Sequence, residues 1–507
     1  MTQKSEEFEM IAKTFQGLEN ILAEELTTIG AKNIQIGRRM VAFTGDKQMM
    51  YKANFYLRTA IRILKPIKHF NAKDADEVYQ QVQTIHWEDY LTTEKTFAID
   101  AVVYSEEFRH SKFVSYKVKD AIADYFREKT GKRPSVHLTK PDIQLNMHIS
   151  ETACTLSLDS SGESLHRRGY RQEAVEAPLN EVLAAGMIML TGWKGDCDLI
   201  DPMSGSGTIP IEAALIARNI APGIFRKEFA FERWPDFDPE MLEAIYNDES
   251  NERPFEHKIY AYDNDPMAIS IATENVKAAG VSKDVALKLQ PIQHFEQPSE
   301  KAIMITNPPY GERMSSENLL GLYQTIGERL KHGFINNVAW IISYRDECFD
   351  QIGLKASEKI PLYNGQLECS FRKYEIFDGK YNIMKADEVK NGIYKEDEKD
   401  APKPRKFDAY PENHGYKKTY KDRDSRKSED KPWNKFGDKR EERRDDRDTD
   451  VFRSFRTNKI VRFDKRPRIH IKPKSDQTNT TEIAPGTDQQ IIDNTDKGEK
   501  GKGNEEK

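Results

Sequence analysis

Cysteine is scarce in this chain, and long apolar runs are missing. The four cysteines among 507 residues, Cys154, Cys197, Cys348 and Cys369, are widely separated and form no CxxC pair. This spacing argues against a disulfide framework or a zinc site, so we expect free thiols and no metal. No segment approaches the roughly 18 apolar residues of a membrane-spanning helix, and residues 1–10 lack the apolar stretch of a signal peptide. We therefore expect a cytoplasmic protein with no membrane partner.

Charged residues are abundant but unevenly distributed. They make up 32% of the chain, the mean hydropathy is −0.77 and the net charge is −6. Residues 401–475 contain 25 Lys and Arg against 14 Asp and Glu, a net charge of +11, so the remainder is acidic. Because residues 386–507 have few aliphatic side chains to bury, we expect a disordered charged tail. Its basic and aromatic cluster over 452–474 suits either weak RNA contact or solubilisation without a specific partner.

Residues 1–158 alternate short predicted helices and strands. Apolar spacing predicts a helix over 17–29 and an amphipathic helix over 114–129, and the alternation across 143–149 predicts a strand. Further short elements are a helix over 76–83 and strands over 33–36, 40–44, 97–104 and 135–138. None of these patterns specifies a function by itself.

A glycine-rich turn follows a strand predicted over 197–201, and a helix is predicted after it over 209–217. Gly205 and Gly207 let the backbone approach a ligand closely, and the helix N-terminus beyond them favours a carboxylate. The turn lacks the third glycine of a dinucleotide site and instead fits the methionine end of S-adenosylmethionine. The predicted cofactor contacts here are Asp201, Pro202, Ser204, Gly205, Gly207 and Thr208.

A second strand, predicted over 258–263, also ends in an acid. A carboxylate at this position can accept both ribose hydroxyls, which predicts cofactor contacts from Asp263 and its neighbour Asn264. The alternative is that Asp263 caps the helix predicted over 266–279, a role for which Asn264 and Asp265 compete. The long spacing from the glycine turn indicates an insertion over 222–254.

The third motif, Asn307-Pro308-Pro309-Tyr310, follows a buried-type strand predicted over 302–306. An exocyclic base amine is a poor nucleophile, so an enzyme must hold it with acceptors in line with the methyl group. The Asn307 side-chain oxygen and the Pro308 carbonyl can serve as acceptors, and the two prolines fix their direction. Tyr310 can stack on a base rotated out of its helix. A merely structural Pro-Pro turn is the alternative, but the order of the three motifs favours catalysis.

Several further motifs accompany these three. They are Phe15-Gln16-Gly17-Leu18-Glu19, the run from Ser164 to Arg171 (SLHRRGYR), the run from Glu176 to Glu181 (EAPLNE), and the run from Phe229 to Pro235 (FAFERWP). With the glycine turn and Asn307–Tyr310, the chain over about 8–385 resembles the THUMP-domain class I RNA methyltransferases. Within them it is most similar to the RlmL-type enzymes that methylate guanine N2 in 23S ribosomal RNA.

The resemblance implies an α/β fold with a Rossmann-like class I methyltransferase domain after an α+β module. Its expected parts are a ferredoxin-like region over 1–60, a THUMP domain over 61–158 and the methyltransferase domain over 164–385. It implies RNA contacts from the basic residues Arg109, Lys112, Lys117, Lys132, Arg133, Lys140, Arg167 and Arg168, although each alone could be solvated surface. Where relatives often have an acid near the adenine ring, this chain has Gln290, whose amide could still bind adenine. A second methyltransferase domain, found in some relatives, has no counterpart in 386–507.

The expected partner is therefore structured RNA, foremost 23S rRNA or a large-subunit precursor. Two alternatives stay within the enzyme class: guanine-N2 methylation of tRNA and adenine-N6 methylation of RNA, because the Asn307 motif serves both amines. A third is a non-catalytic RNA-binding assembly factor, against which the intact cofactor and Asn307 motifs argue.

Overall fold

One eight-stranded sheet organises the N-terminal part of the protein. The computed structural model describes residues 6–108, 110–309 and 315–378, so the predictions for Arg109, Tyr310 and the tail over 386–507 lie outside the described residues. The strands are β1 (Phe8–Lys13), β2 (Lys32–Gly37), β3 (Met40–Gly45), β4 (Arg62–Asn71), β5 (Thr96–Tyr104), β6 (Ser135–Val136), β7 (Ile143–Ser150) and β8 (Ala153–Asp159). Their order is β2-β3-β1-β4-β8-β7-β5-β6, antiparallel except that β5 runs parallel to β6 and β7.

Four helices share an apolar core with this sheet: α1 (Glu19–Thr28), α2 (Lys47–Tyr56), α3 (Ala75–Gln83) and α4 (Ser111–Thr130). The core-facing residues recur at the spacings that the sequence predicts. In β7, Ile143 and every second residue after it is buried, and in α4 the stripe from Val114 to Phe126 is buried. Helix α4 ends at Gly131, whose left-handed conformation (φ +71°) a side chain would disfavour.

Strand β4 joins the two halves of the sheet. Residues 62–64 pair with β1, and residues 64–71 pair with β8. The predicted boundary at 60/61 therefore falls just before a strand that the ferredoxin-like and THUMP regions share. Because hydrogen bonds run across the junction, the two regions form one continuous sheet.

A second, seven-stranded sheet builds the second domain. Its strands are β9 (Asp198–Asp201), β10 (Ile259–Asp263), β11 (Val285–Leu289), β12 (Ala302–Thr306), β13 (Val338–Ser343), β14 (Glu358–Asn364) and β15 (Leu367–Glu375). Its helices are α5 (Glu181–Leu190), α6 (Thr208–Ala217), α7 (Pro239–Tyr246), α8 (Pro266–Ala278), α9 (Ser316–Gly333) and α10 (Asp346–Ile352). The strand order is β11-β10-β9-β12-β13-β15-β14, parallel from β11 to β13, with β15 antiparallel to both neighbours.

The strand order reverses at β9, because the chain continues to β10 on one side and places β12 on the other. Open α/β sheets bind ligands beyond the carboxyl ends of the strands at such a reversal. The glycine turn follows β9 and Asn307 follows β12, so both predicted motifs lie at this edge. Among the helices within the described ranges, none is long and apolar enough to cross a membrane.

Two of the accompanying motifs dock the N-terminal sheet onto the second domain. Leu18, at the start of α1, is fully buried in the apolar core of the second domain. A Cβ on Gly186 of α5 would lie only 2.5 Å from the Leu18 side chain, so glycine leaves room for this contact. In the 222–254 insertion, the Phe231 ring stacks on Tyr51 of α2 at 4.2 Å. These contacts hold the N-terminal sheet against the second domain.

Candidate cofactor and methyl-transfer site

The glycine turn between β9 and α6 has the backbone shape that the sequence predicts. Gly205 and Gly207 have φ values of +53° and +82°, a region that favours residues without a Cβ. A Cβ on Gly207 would also lie 3.3 Å from the Cβ of Ala272 on α8, which is tighter than ordinary contact. The turn thus packs closely on α8 at the N-terminus of α6.

Asp201 ties the ends of β9 and β12 together. Its Oδ1 accepts hydrogen bonds from the Thr306 hydroxyl at 2.8 Å and from the Met203 N–H at 3.2 Å. The side chain is buried, with 1% exposed, and burial raises the pKa of its carboxyl to about 7. These contacts make Asp201 a support of both loops; its predicted contact with the cofactor stays a prediction.

Asp263 holds the glycine turn from the neighbouring strand. Its Oδ2 accepts from the Gly205 N–H at 2.8 Å, and its Oδ1 accepts from the Asp265 N–H at 3.0 Å. The cap of α8 is Asp265, whose Oδ1 accepts from the Met267 N–H, so the alternative that Asp263 caps this helix is wrong. Asn264 lies next to it on the exposed surface. Asp263 is thus placed at the strand edge where ribose hydroxyls would lie in a dinucleotide-type fold.

Gln290 lies at the end of β11, beside Asp263. Its N–H donates to the Asp263 carbonyl at 2.8 Å, and its side-chain Nε2 donates to the His294 carbonyl at 3.0 Å. The side-chain oxygen of the amide is not engaged by either bond. Gln290 and Tyr262 line a cavity of about 540 Å³ at this edge. The predicted adenine contact of Gln290 is compatible with this place and stays a prediction.

Two buried oxygen atoms of the site have no hydrogen-bond partner within the described residues. They are the Ser204 hydroxyl in the glycine turn and the Asn307 side-chain oxygen after β12. A buried acceptor without a partner costs about 1–3 kcal/mol, so such atoms in a native fold call for a ligand or water. Both atoms follow the two strands at the reversal of the sheet. This arrangement fits a cofactor and an amine that would supply the missing donors.

The remaining predicted cofactor contacts in the turn are Pro202 and Thr208. Pro202 is buried at the start of the turn. The Thr208 hydroxyl accepts from Arg171 at 3.0 Å, and the Ser206 hydroxyl accepts from the same side chain at 2.9 Å. Arg171 is not among the predicted site residues, although the resemblance implies that the segment His166–Arg171 contacts cofactor or RNA. The sequence could not specify which, because Ser206 and Thr208 lie 35 and 37 residues further along the chain.

The predicted RNA contacts differ in their surroundings. Lys112, Lys132 and Arg133 are exposed on the N-terminal module. Three others are ion-paired near the surface: Lys117 with Asp76 at 2.5 Å, Lys140 with Glu228 at 2.7 Å and Arg167 with Glu163 at 2.6 Å. Pairing of this kind is weak and exchangeable, so these residues stay candidates.

Arg168 contradicts its prediction as an RNA contact. Its side chain is 2% exposed, and its guanidinium pairs with the buried Glu212 at 3.3 Å. It also donates to the carbonyls of Leu165, at 2.9 Å, and Arg58, at 2.5 Å. The basic run in the sequence concealed this burial, because the counter-ion lies 44 residues further along the chain. Arg168 therefore serves the packing of the two modules.

The fold and the site together define a class I methyltransferase. Three consecutive segments match known families: residues 9–64 match an RlmL ferredoxin-like domain, residues 72–159 a THUMP domain and residues 168–373 an RMKL-like methyltransferase domain. A crystal structure of SMU.472, a putative methyltransferase complexed with SAH, superposes with a TM-score of 0.67 at 29% identity. The superposition covers 74% of this chain and all of that one.

Curated relatives agree with these matches. A putative RNA methyltransferase of Synechocystis sp. is 37% identical over 369 residues, which cover 72% of this chain and 96% of that protein. A ribosomal RNA large subunit methyltransferase K/L of Syntrophotalea carbinolica is 38% identical over 380 residues, and the chain spans only 53% of its length. The chain belongs to the RMKL-like methyltransferase family with ferredoxin-like and THUMP domains, and its cofactor is S-adenosylmethionine. The predicted family, fold class and cofactor are thereby confirmed.

Proposed function

We propose that this protein transfers a methyl group from S-adenosylmethionine to the exocyclic N2 amine of a guanine in 23S rRNA or a large-subunit precursor. The observation that carries the proposal is the buried Asn307 oxygen, which follows β12 next to β9 and has no hydrogen-bond partner among the described residues. An acceptor at this place suits a substrate that brings an N–H. The names of the relatives, which include RNA and large-subunit rRNA methyltransferases, support RNA as the substrate class.

Bound S-adenosylmethionine supplies an electrophilic methyl group on its sulfonium sulfur. The residues proposed to hold it are Ser204, Gly205 and Gly207 at the methionine end, Asp263 at the ribose and Gln290 at the adenine. The chain fits such a ligand because the turn has two glycines at positive φ and a buried hydroxyl that lacks a partner in the described part of the chain. No metal takes part in the proposal.

The task of the protein on the substrate side is to orient a weak nucleophile. Asn307 Oδ1 and the Pro308 carbonyl are proposed to accept the two amine hydrogens, which points the nitrogen lone pair toward the methyl group. Pro308 is buried, and its ring restricts the backbone that carries both acceptors. Stacking of the base by Tyr310 completes the proposal, and this residue lies outside the described ranges.

The continuous N-terminal sheet is proposed to grip the RNA outside the target base. Lys112, Lys132 and Arg133 offer exposed positive charge, and Lys117, Lys140 and Arg167 can exchange their surface carboxylates for phosphates. Because the sheet packs against the catalytic domain through Leu18 and through the Tyr51–Phe231 stack, the RNA contacts are proposed to lie at a set distance from Asn307. The cytoplasm, where rRNA is made and modified, is the proposed location.

The test uses purified protein, radiolabelled S-adenosylmethionine and, separately, total rRNA and total tRNA from a strain that lacks the gene. Labelled nucleosides are then separated by chromatography. We expect N2-methylguanosine from 23S rRNA. Label in tRNA, or in N6-methyladenosine, would overturn the substrate while leaving methyl transfer in place. Cofactor binding without label in either pool would favour a precursor particle, whereas no cofactor binding would favour a non-catalytic RNA-binding factor.

A further inference from the structure

Arg171 connects the glycine turn to the segment before α5. One guanidinium nitrogen donates to the Ser206 hydroxyl at 2.9 Å, and the other donates to the Thr208 hydroxyl at 3.0 Å and the Leu179 carbonyl at 3.1 Å. Its Nε donates to Glu181 Oε1 at 2.8 Å. Two of these four hydrogen bonds hold the hydroxyl residues that flank Gly207, and the other two hold Leu179 and Glu181.

A turn with two glycines needs hydrogen bonds from neighbouring segments to keep one shape. Glycine backbones lose more conformational freedom on folding than any other residue, so the turn would otherwise sample several shapes. Asn275 on α8 supplies the matching ties from the other side. Its Nδ2 donates to the Ser206 carbonyl at 2.9 Å, and its Oδ1 accepts from the Gln172 N–H at 2.8 Å. Asn275 is buried, with 1% exposed.

The charge of Arg171 is already matched by Glu181, which is 7% exposed at its side chain. An arginine so paired adds little net charge to the site. Its five donors in a rigid plane do provide direction, which a lysine ammonium on a flexible stem does not. The contribution of Arg171 is therefore orientation of the turn.

We propose that Arg171 is a positioning residue for cofactor binding, which holds the glycine turn in the shape that receives the methionine end of S-adenosylmethionine. It acts through Ser206 and Thr208 without touching the cofactor. The proposal rests on the cofactor position given under the proposed function. Arg168 and Tyr170, which precede Arg171 in the sequence, hold Glu212 on the helix that follows the turn.

The test measures S-adenosylmethionine binding to full-length protein by calorimetry, beside the thermal unfolding midpoint. We expect Arg171→Met to raise Kd about tenfold or more, equivalent to at least about 1.4 kcal/mol, and Arg171→Lys to fall between it and wild type. The unfolding midpoint should shift by only a few degrees. In the RNA assay, KM for the cofactor should rise more than kcat falls. The matched control is Arg218→Met, which removes a 3.6 Å ion pair with Asp284 at the far end of α6 and should leave Kd unchanged.

Further variants separate the possible failures. Ser206→Ala should weaken binding by part of the Arg171→Met effect and add nothing to it in the double variant; additive effects would contradict action through Ser206. This variant also keeps the proposal testable if Arg171→Met does not fold. The Asp263→Ala variant tests the proposed cofactor position, because Asp263 is proposed to bind the ribose. If Asp263→Ala weakens binding and Arg171→Met does not, the positioning role is overturned; if neither weakens it, the cofactor position fails.

Discussion

Replacing Glu212 with glutamine removes the counter-ion of a guanidinium that has almost no access to water. Arg168 is 2% exposed and Glu212 is fully buried, and the Tyr170 hydroxyl also donates to this carboxylate at 2.9 Å. Breaking a buried ion pair from one side costs about 3–5 kcal/mol, because the remaining charge stays desolvated. Glutamine keeps an acceptor for Tyr170, so the loss in unfolding free energy reports the contribution of the carboxylate charge.

The reciprocal variant completes a double-mutant cycle. Arg168→Met removes the charge but also leaves the Leu165 and Arg58 carbonyls without this donor. We expect the variant with both Arg168→Met and Glu212→Gln to be more stable than the sum of the single losses predicts, by about 1–3 kcal/mol. This sign follows because neither remaining side chain is an unpaired buried charge.

The assay is urea-induced unfolding followed by circular dichroism, with RNA affinity measured under native conditions. The control is Glu328→Gln, which removes a surface pair with Lys331 at 3.0 Å and should cost less than about 1 kcal/mol. A loss for Glu212→Gln no larger than that of the control would refute the structural role. The structural role would also be refuted if the Arg168→Met variant had normal stability but bound RNA more weakly and with a correspondingly smaller salt dependence.

Three further outcomes are expected. Asn307→Ala should abolish methyl transfer with RNA binding intact; the reverse pattern in filter-binding and labelling assays would contradict its role. Burial raises the pKa of Asp201 to about 7, above its value in the unfolded chain, so the native state binds the proton more tightly. The stability that this proton gives the native state is therefore lost as pH rises toward 7. Asp201→Asn should flatten the fall in unfolding free energy from pH 4 to 7, and an unchanged slope would argue against this assignment. The double variant in which glutamate replaces both Lys132 and Arg133 should bind RNA more weakly and with a smaller salt dependence. An unaltered salt slope would place the RNA elsewhere.

Elements with dense apolar patterns could be predicted from the sequence almost to the residue. The strand over 302–306 has the predicted bounds, and the helix predicted over 209–217 begins only one residue earlier. Strand β4 was not predicted, because Arg62–Asn71 mixes basic residues and a proline without regular alternation. Its strand conformation depends on pairing with β1 and β8 on either side, and neither partner is visible in the local sequence.

The candidate site could likewise be predicted only in part. The order of the motifs places the glycine turn, Asp263 and Asn307 at one sheet edge, because parallel strands carry their carboxyl ends there. The ties that hold the turn could not be predicted, since Arg171 and Ser206 are 35 residues apart. The error for Arg168 has the same origin: a basic neighbourhood in the sequence does not report a buried acid on a distant helix.

The central claim, methyl transfer to a guanine amine held by Asn307, is tested most directly by comparing wild-type protein with Asn307→Ala on deproteinised large-subunit rRNA. Both proteins receive radiolabelled S-adenosylmethionine, and nucleosides are identified after complete digestion. We expect N2-methylguanosine with the wild type and none with the variant, although the variant still binds RNA. Equal amounts of N2-methylguanosine from both proteins, or label in another nucleoside, would contradict it.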